Sequence, residues 1–115
     1  MRKIKVVMCP AERAPYVTNI VDSLKNLQKA VGGYIEMHAM SSCVHAVMNE
    51  EGRLKGLPEN RSFPWPGFVG DIVIVATDGP EGDGGLRDLT DNEARLMLAS
   101  ARKAWNSSQM KEAEA

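Results

Sequence analysis

The order of apolar and polar positions predicts two buried strands. Residues 4–9 (IKVVMC) and residues 71–78 (DIVIVATD) are short apolar runs, rich in β-branched side chains and bounded by proline or glycine. The second run is the more strongly apolar, which favours a central position in a sheet. Between the two runs, residues 10–20 contain two prolines, so we expect a loop there that passes into an irregular extended segment.

Residues 22–31 have the period of an amphipathic helix. Asp22 or Ser23 can cap its N terminus, and Gly32–Gly33 can adopt the left-handed conformation that ends many helices. Apolar side chains recur at intervals of three and four residues along one face. The segment therefore predicts a helix with one side to bury.

A second helix is predicted for residues 90–105. Thr90 and Glu93 have the spacing of a capping box, and an apolar stripe follows them. Residues 106–115 offer nothing to pack, so we expect a disordered C-terminal tail. The chain is then a single α+β domain over residues 1–105 followed by that tail.

Three short segments, residues 34–40, 44–49 and 53–57, predict a β-meander. Residues 49–52 (NEEG) have the residue types of a type I turn closed by a glycine bulge, and Ser41–Ser42 fit a two-residue hairpin loop. A slip of one residue in either turn would destroy the apolar face that this register produces. The predicted apolar face consists of Ile35, Met37, Ala39, Val44, Ala46, Met48 and Leu54.

Together these elements predict an α+β fold of two layers. The sheet is mixed or antiparallel, has four or five strands and contains the meander. Both helices pack on its apolar face, since an amphipathic helix and a half-apolar sheet each need a partner to bury their apolar sides. The other face of the sheet is then left to solvent.

Composition narrows the class of protein. The chain has 115 residues, of which 43% are apolar and 25% are charged, as is usual for one globular domain. A formal net charge of −1 argues against a basic nucleic-acid-binding protein and against an acidic mimic of DNA. No apolar run is long enough for a signal peptide or a membrane span, so a location in the cytoplasm is expected.

Five polar residues are candidates for ligand binding. Tyr34, Glu36 and Asn49 share the polar face of the predicted meander. Asn60 and Arg61 follow its last strand at the same edge, where the guanidinium group of Arg61 could hold a carboxylate or a phosphate through two hydrogen bonds. These residues predict a site for a small anionic ligand.

A structural role is the alternative for the last two candidates. Asn60 could cap a short turn, and Arg61 could pair with Glu50 or Glu59. The sequence leaves both interpretations open, because polar groups at the edge of a sheet commonly satisfy the backbone.

Metal binding is the weaker interpretation of the histidines. The predicted register places His38 opposite His45 with Glu36 nearby, and such a set could hold zinc. No local ligand motif accompanies the pair, and Cys9 and Cys43 are isolated thiols that suit neither a zinc site nor a disulfide framework. No nucleophile–base arrangement is evident either. We therefore expect no metal, no other cofactor and no catalytic residues.

Two long motifs resemble a family catalogued as domain of unknown function 3846. They are LKNLQKAVGGYIE (24–36) and NEEGRLKGLPENR (49–61), and the likeness extends over nearly the whole chain. The matching positions are Leu24, Leu27, Gln28, Val31 to Glu36, Asn49 to Gly52, Leu54, Gly56 to Pro58, Asn60, Arg61, Asp71, Leu89 and Thr90.

The resemblance implies a small accessory protein of a phage or mobile element in a bacterial host cell. It carries over no catalytic residue. Asn60 and Arg61 belong to the family pattern, whereas the pair His38 and His45 does not. We accordingly expect a non-enzymatic binding module whose partner is a host protein or a small anionic ligand, acting against a host defence system. The alternatives are a small metal-dependent hydrolase, and a structural or assembly protein that forms a homo-oligomer. Neither nucleic acid nor a membrane is an expected partner.

Overall fold

The computed structural model describes residues 1–79 and 85–114. Its strands are β1 (Lys3–Cys9), β2 (Tyr16–Val21), β3 (Ile35–Ala39), β4 (Val44–Asn49), β5 (Ile72–Thr77) and β6 (Leu86–Arg87). They form one antiparallel sheet in the order β2-β1-β5-β4-β3, and β6 pairs with the end of β5. Two helices, α1 (Leu24–Val31) and α2 (Asp91–Glu114), pack against the sheet. The α+β class is confirmed.

Apolar composition explains which strands lie in the middle. Every residue of β4 and β5 is buried, and β5 consists mostly of β-branched residues that pack well on a pleated surface. The strands predicted for residues 4–9 and 71–78 are confirmed as β1 and β5. Residues 16–21, which were expected to be irregular, instead form the edge strand β2 along the length of β1. Proline does not prevent this because it precedes the strand and removes no ladder hydrogen bond.

Local capping fixes both ends of α1. The Ser23 hydroxyl accepts a hydrogen bond from the backbone N–H of Asn26 at 3.1 Å. Gly32 has a φ of 81°, and its N–H donates to the carbonyl of Gln28 at 2.8 Å. Glycine reaches this left-handed conformation without the steric penalty of a side chain. The predicted first helix and its glycine stop are confirmed, with Ser23 as the cap.

The two helices lie on opposite faces of the sheet, so the prediction that both cover one face is wrong. Along β5, Ile72 and Ile74 pack in a core with α2, whereas Val73 and Val75 pack in a second core with α1. Alternate side chains of a strand point to opposite faces, so these are two separate layers, here named the α2 face and the α1 face. The sequence could not choose between the faces because β5, the middle strand, has apolar side chains on both.

The predicted third strand of the meander, residues 53–57, is wrong. Residues 50–56 form consecutive turns. The turn predicted at Asn49 does begin there, since the Asn49 carbonyl accepts the N–H of Gly52 at 3.1 Å. The left-handed glycine that follows is Gly56, with a φ of 67°, and not Gly52. Leu54, predicted to be in the core, is 89% exposed because no strand carries it back to the sheet.

The register between β3 and β4 differs by one residue from the predicted one. His38 pairs with Ala46, and Ala39 pairs with His45. The cause is the loop, because the N–H of Met40 donates to the carbonyl of Val44 and leaves three residues between them instead of two. The slip moves the side chains of β3 to the faces opposite to those expected.

Helix α2 is longer than predicted. Its capping box is confirmed: the N–H of Thr90 donates to a Glu93 carboxylate oxygen at 2.8 Å, and the N–H of Glu93 donates to the Thr90 hydroxyl at 3.0 Å. The helix then continues to Glu114, so the expected end at residue 105 is wrong, and the residues expected to form a disordered tail are helical as far as Glu114. Within residues 1–79 and 85–114, no helix combines the length and apolar character needed to cross a bilayer.

Candidate functional site

The loop between β4 and β5 lies on the α2 face of the sheet. Phe63 and Val69 are buried there in the same core as α2. Gly70 lets the loop return close to itself, because a Cβ atom at this position would lie 2.8 Å from a methyl carbon of Leu57. The side chains of Asn60 and Arg61, two of the predicted site residues, belong to this loop.

Asn60 holds the loop to the sheet. Its side-chain nitrogen donates to the carbonyl of Cys9 at 2.8 Å and to the carbonyl of Gly70 at 2.9 Å. Its side-chain oxygen accepts the N–H of Ser62 at 2.9 Å. The residue is only 1% exposed, and both amide hydrogens are used. The Asn60 amide therefore serves the backbone.

Arg61 connects the loop to the C-terminal part of α2. Its guanidinium nitrogens donate to the two carboxylate oxygens of Glu112 at 2.7 and 2.9 Å, and one of them also donates to Gln109 at 2.8 Å. The guanidinium lies 5.8 Å from the centre of the Trp105 ring. The hydrogen bond raises the pKa of Arg61 and lowers the pKa of Glu112. The bidentate geometry that was predicted for an external anion is thus satisfied within the chain.

The remaining candidates lie in other environments. Asn49 is buried on the α1 face, where its amide donates to the carbonyl of Val31 at 3.2 Å. Glu36 is half-buried on β3 and contacts His38. The Tyr34 side chain is 67% exposed. The structure does not place these residues in one site with Asn60 and Arg61.

The histidines are separated by the sheet. His38 is on the α2 face, where its ring lies 5.2 Å from the ring of Phe68. His45 is buried on the α1 face, where its Nε2 lies 3.1 Å from the Thr77 hydroxyl. The predicted cross-strand pair is therefore wrong, because of the shifted register. In the described part of the chain, no group of three or more His, Cys, Asp or Glu residues is placed to hold a metal ion.

A groove of about 440 Å³ lies between the loop and α2. Residues 59–65 form one wall, and residues 100–111 of α2 form the other. We name it the α2 groove. The loop stays beside α2 because Arg61 of the loop donates a hydrogen bond to Glu112 in the last turns of the helix. The groove-facing positions of α2 recur at three and four residues, as one helical face requires: Ser100, Lys103, Ala104, Ser107, Ser108 and Lys111.

The lining of the α2 groove is cationic and contains a buried hydroxyl without a partner. Lys103, Lys111 and Arg61 line it together with one carboxylate, that of Glu59. The Ser62 hydroxyl oxygen is inaccessible and forms no hydrogen bond with any residue that the structure describes. An unpaired buried hydroxyl costs about 1–3 kcal/mol unless something else bonds to it. Ser62 also lines a small cavity of about 20 Å³ together with the core residues Ile74 and Ala101.

An aromatic ring stands at the mouth of the α2 groove. Trp65 is 57% exposed although its ring lies 6.0 Å from Phe63 and 6.0 Å from Phe68. Prolines on both sides restrict its backbone. An exposed indole held by a buried aromatic cluster gives a flat apolar surface for a planar group.

Sequence reasoning missed Ser62, Trp65, Lys103 and Lys111. The helical spacing of the two lysines was available, but the helix was predicted to end at residue 105 and so could not present Lys111 on the same face. Ser62 gave no sequence signal, since its role depends on the loop conformation that Asn60 fixes. The other chemically notable group is the Cys9 thiol, whose pKa burial raises to about 12, so it stays protonated at neutral pH.

Comparisons with known proteins identify the family. The family model described as "Domain of unknown function (DUF3846)" matches residues 4–100. This span covers the sheet from Ile4 onward, α1, the loop and the first part of α2. Comparisons with curated proteins and with solved structures gave no match. Since the model matches most of the chain, the protein belongs to the DUF3846 family.

Proposed function

We propose that the protein is a non-enzymatic binding module that holds a small anion bearing a planar apolar group in the α2 groove. The observation that carries this proposal is the groove lining, in which Lys103 and Lys111 of α2 lie together with the exposed ring of Trp65.

Charge supports an anion. Lys103 and Lys111 project from exposed positions of α2 two turns apart, and Arg61 lies across from them. A carboxylate or phosphate between the lysines would gain two charge-assisted hydrogen bonds, which are about twice as strong as neutral ones. Arg61 needs no rearrangement in this arrangement, because its bond with Glu112 keeps the helix in place beside the loop.

The Trp65 ring supports a planar apolar group on the same ligand. A ligand whose anionic end lies at the lysines reaches the mouth of the groove, where the indole is exposed. Stacking on this ring would bury apolar surface on both partners. The lining of the groove contains neither histidine nor cysteine, which favours binding over imidazole- or thiol-based catalysis.

A second groove, of about 460 Å³, lies beside the end of α1. It also contains cationic residues, Arg13 and Lys29. Among the residues that the structure describes, its lining also contains two carboxylates, those of Glu12 and Asp71, and no aromatic ring. The α2 groove is therefore the better candidate.

Binding of 1-naphthyl phosphate, measured by calorimetry, tests the proposal. We expect the double variant Lys103→Glu/Lys111→Glu to weaken binding by about tenfold or more, because two attractions become repulsions. The matched control is Lys25→Glu/Lys29→Glu on α1, which makes the same change in net charge on the other face of the sheet and should leave the affinity unchanged. Inorganic phosphate and 1-naphthol should each bind more weakly than the joined molecule.

Ser62→Ala separates a ligand role from a structural one. Because the variant removes an unpaired buried hydroxyl and leaves the lysines and Trp65 in place, we expect its stability to be unchanged or about 1 kcal/mol higher and its affinity for the naphthyl phosphate to equal that of the wild type. Equal affinity in the double lysine variant and in the wild type would show that the α2 groove is not the site.

The biological setting is part of the same proposal. We propose an accessory role for a phage or mobile element in the cytoplasm of its bacterial host, acting against a defence system; membership of the DUF3846 family supports this through the resemblance described above. Hosts that carry different defence systems, infected with and without the gene, would show the role as a difference in phage yield. If the groove is used, the gene with Lys103→Glu/Lys111→Glu should behave as the deletion does.

A further inference from the structure

The outer edge of β3 is open in the described part of the chain. β3 pairs with β4 on one side, and no described strand pairs with its other side. Its residues are half-buried or exposed, and Met37 at its centre is 40% exposed. An open edge presents unpaired backbone N–H and C=O groups and favours pairing with another strand.

Hydrogen bonds to β4 identify the groups that point outward. The carbonyl of Tyr34 accepts from Glu50, and the N–H of Met40 donates to Val44. In an antiparallel ladder the residues bonded to one neighbour alternate with those facing the other side. The even-numbered residues of β3 therefore bond to β4. The backbone groups of Ile35, Met37 and Ala39 face outward.

We propose that two copies of this chain pair through their β3 strands, antiparallel, about a two-fold axis at Met37. In this register each of the outward-facing residues meets an outward-facing residue of the other copy: Met37 meets the partner's Met37, and Ile35 meets the partner's Ala39. Each copy then supplies the N–H and C=O of three residues, and all of them are paired. The same patch serves both copies, as a two-fold interface requires.

Charge selects this register over its neighbours. With the axis at Met37, Glu36 lies directly opposite the partner's His38, and His38 lies opposite the partner's Glu36. An axis shifted toward the start of the strand would place Glu36 opposite the partner's Glu36, and the opposite shift would place His38 opposite the partner's His38. Opposed unlike groups stabilise strand pairing and like charges oppose it. A neutral His38 can still donate a hydrogen bond to the carboxylate.

The same register covers exposed apolar side chains. Tyr34 is 67% exposed and Met40 is 39% exposed, and each would lie opposite the other across the axis. The two Met37 side chains would contact each other on the α1 face. Removal of these groups from water adds a favourable apolar term to the backbone hydrogen bonds.

The other edge of the sheet lacks this complementarity. β2 (YVTNIV) also has no outer partner among the described strands, but it carries no charged residue that could select a register. Its outward-facing backbone groups belong to the odd-numbered residues, because Asp22 donates to the carbonyl of Arg2. Asn19 is therefore the counterpart of Met37 on the opposite edge and provides a matched control.

Analytical ultracentrifugation of the full chain over roughly 1–100 µM tests the proposal. We expect a concentration-dependent dimer for the wild type. Met37→Pro removes an N–H that does not bond to β4, so the fold should persist while the dimer dissociation constant rises about tenfold or more. Asn19→Pro makes the same change on the β2 edge and should dimerise as the wild type does. Circular dichroism checks that both variants are folded.

Charge exchange tests the register itself. Glu36→His and His38→Glu should each weaken the dimer, because like groups then face each other, and the double variant should restore it. In a Cys43→Ser background, Met37→Cys should oxidise to a reducible dimer, since residues on the axis lie about 5.5 Å apart between Cα atoms. A wild-type monomer at the highest concentration, or failure of the folded double variant to recover, overturns the proposal.

Discussion

At the scale of single residues, two buried polar side chains of the loop differ in their hydrogen bonding: that of Asn60 is fully paired with the backbone, and that of Ser62 is unpaired among the described residues. Asn60 uses both amide hydrogens and its oxygen on backbone groups of the loop and the sheet. Two residues later, the Ser62 hydroxyl is buried without a partner in the described chain. Asn60 therefore fixes the loop conformation that keeps Ser62 in the groove lining.

Replacement of the side-chain NH2 group of Asn60 by an oxygen tests this role. Asn60→Asp keeps the acceptor for Ser62 but turns the donor into an oxygen that faces the carbonyls of Cys9 and Gly70. Since three buried acceptors would then meet, we expect a loss of about 3 kcal/mol or more in the free energy of unfolding, measured in urea. Asn19→Asp, at an exposed position, should change it by less than about 0.5 kcal/mol. Equal effects would contradict a structural role for the Asn60 amide.

At the scale of elements, the first turn of α2 is stabilised by its own capping box and by a contact with strand β6. Glu93 closes the capping box with Thr90 and also accepts hydrogen bonds from Arg87 of β6 at 2.8 and 3.1 Å. The bond with Arg87 is the largest cause that lowers the Glu93 pKa from 4.5 to about 2. One carboxylate thus joins the helix to the sheet.

The lowered Glu93 pKa predicts how stability depends on pH. A carboxyl group whose pKa is lower in the folded state stabilises it fully above the unfolded value, here 4.5, and the contribution is lost as the pH falls toward 2. Urea unfolding should therefore show wild type more stable than Glu93→Gln at pH 6, with the difference shrinking below pH 4.5. The exposed Glu50→Gln is the control. A difference that stays constant down to pH 2 would contradict the assignment.

At the scale of the whole molecule, the sheet is a middle layer with two cores. α2 and the loop cover one face, and α1 covers the other. The consequence is that neighbouring residues of β5 contribute to different cores and none of them faces solvent. The energetic cost of shortening a side chain should then be high on both faces.

Alanine substitutions along β5 test the two-core arrangement. Val73 is 0% exposed and Ile74 is 1% exposed. Val73→Ala and Ile74→Ala should each lower the free energy of unfolding by about 2–4 kcal/mol, because each leaves a cavity in its core. Val17→Ala on the edge strand β2, where the side chain is 40% exposed, should cost less than about 1 kcal/mol. If only one of the β5 variants were destabilised, one face would not be packed.

Local signals predicted much of the fold. The Ser23 cap, the Gly32 stop, the Thr90–Glu93 capping box and the apolar runs all depend on residues close together in the sequence, and the structure contains each of them. The register between β3 and β4 could not be predicted from local signals. It depends on a three-residue loop, and Ser41–Ser42 fits a two-residue loop equally well.

The candidate site could not be predicted because it depends on contacts between distant segments. Arg61 was expected to bind an external anion, but Glu112 meets it from a helix that was predicted to end earlier. Which face a helix covers is equally hard to read from the sequence, because β5 has apolar side chains on both of its faces. Sequence patterns report burial and local capping, and they report poorly on which partner satisfies a polar group.

Only part of the α2 groove lies within the residues that the family model matches. The loop wall falls within the residues that the family model matches, whereas Lys103 and Lys111 lie beyond residue 100. The sheet and both cores are complete without these lysines. If Lys103 and Lys111 hold a ligand as proposed, substitutions in the last turns of this helix would change ligand preference and leave the sheet and both cores as they are.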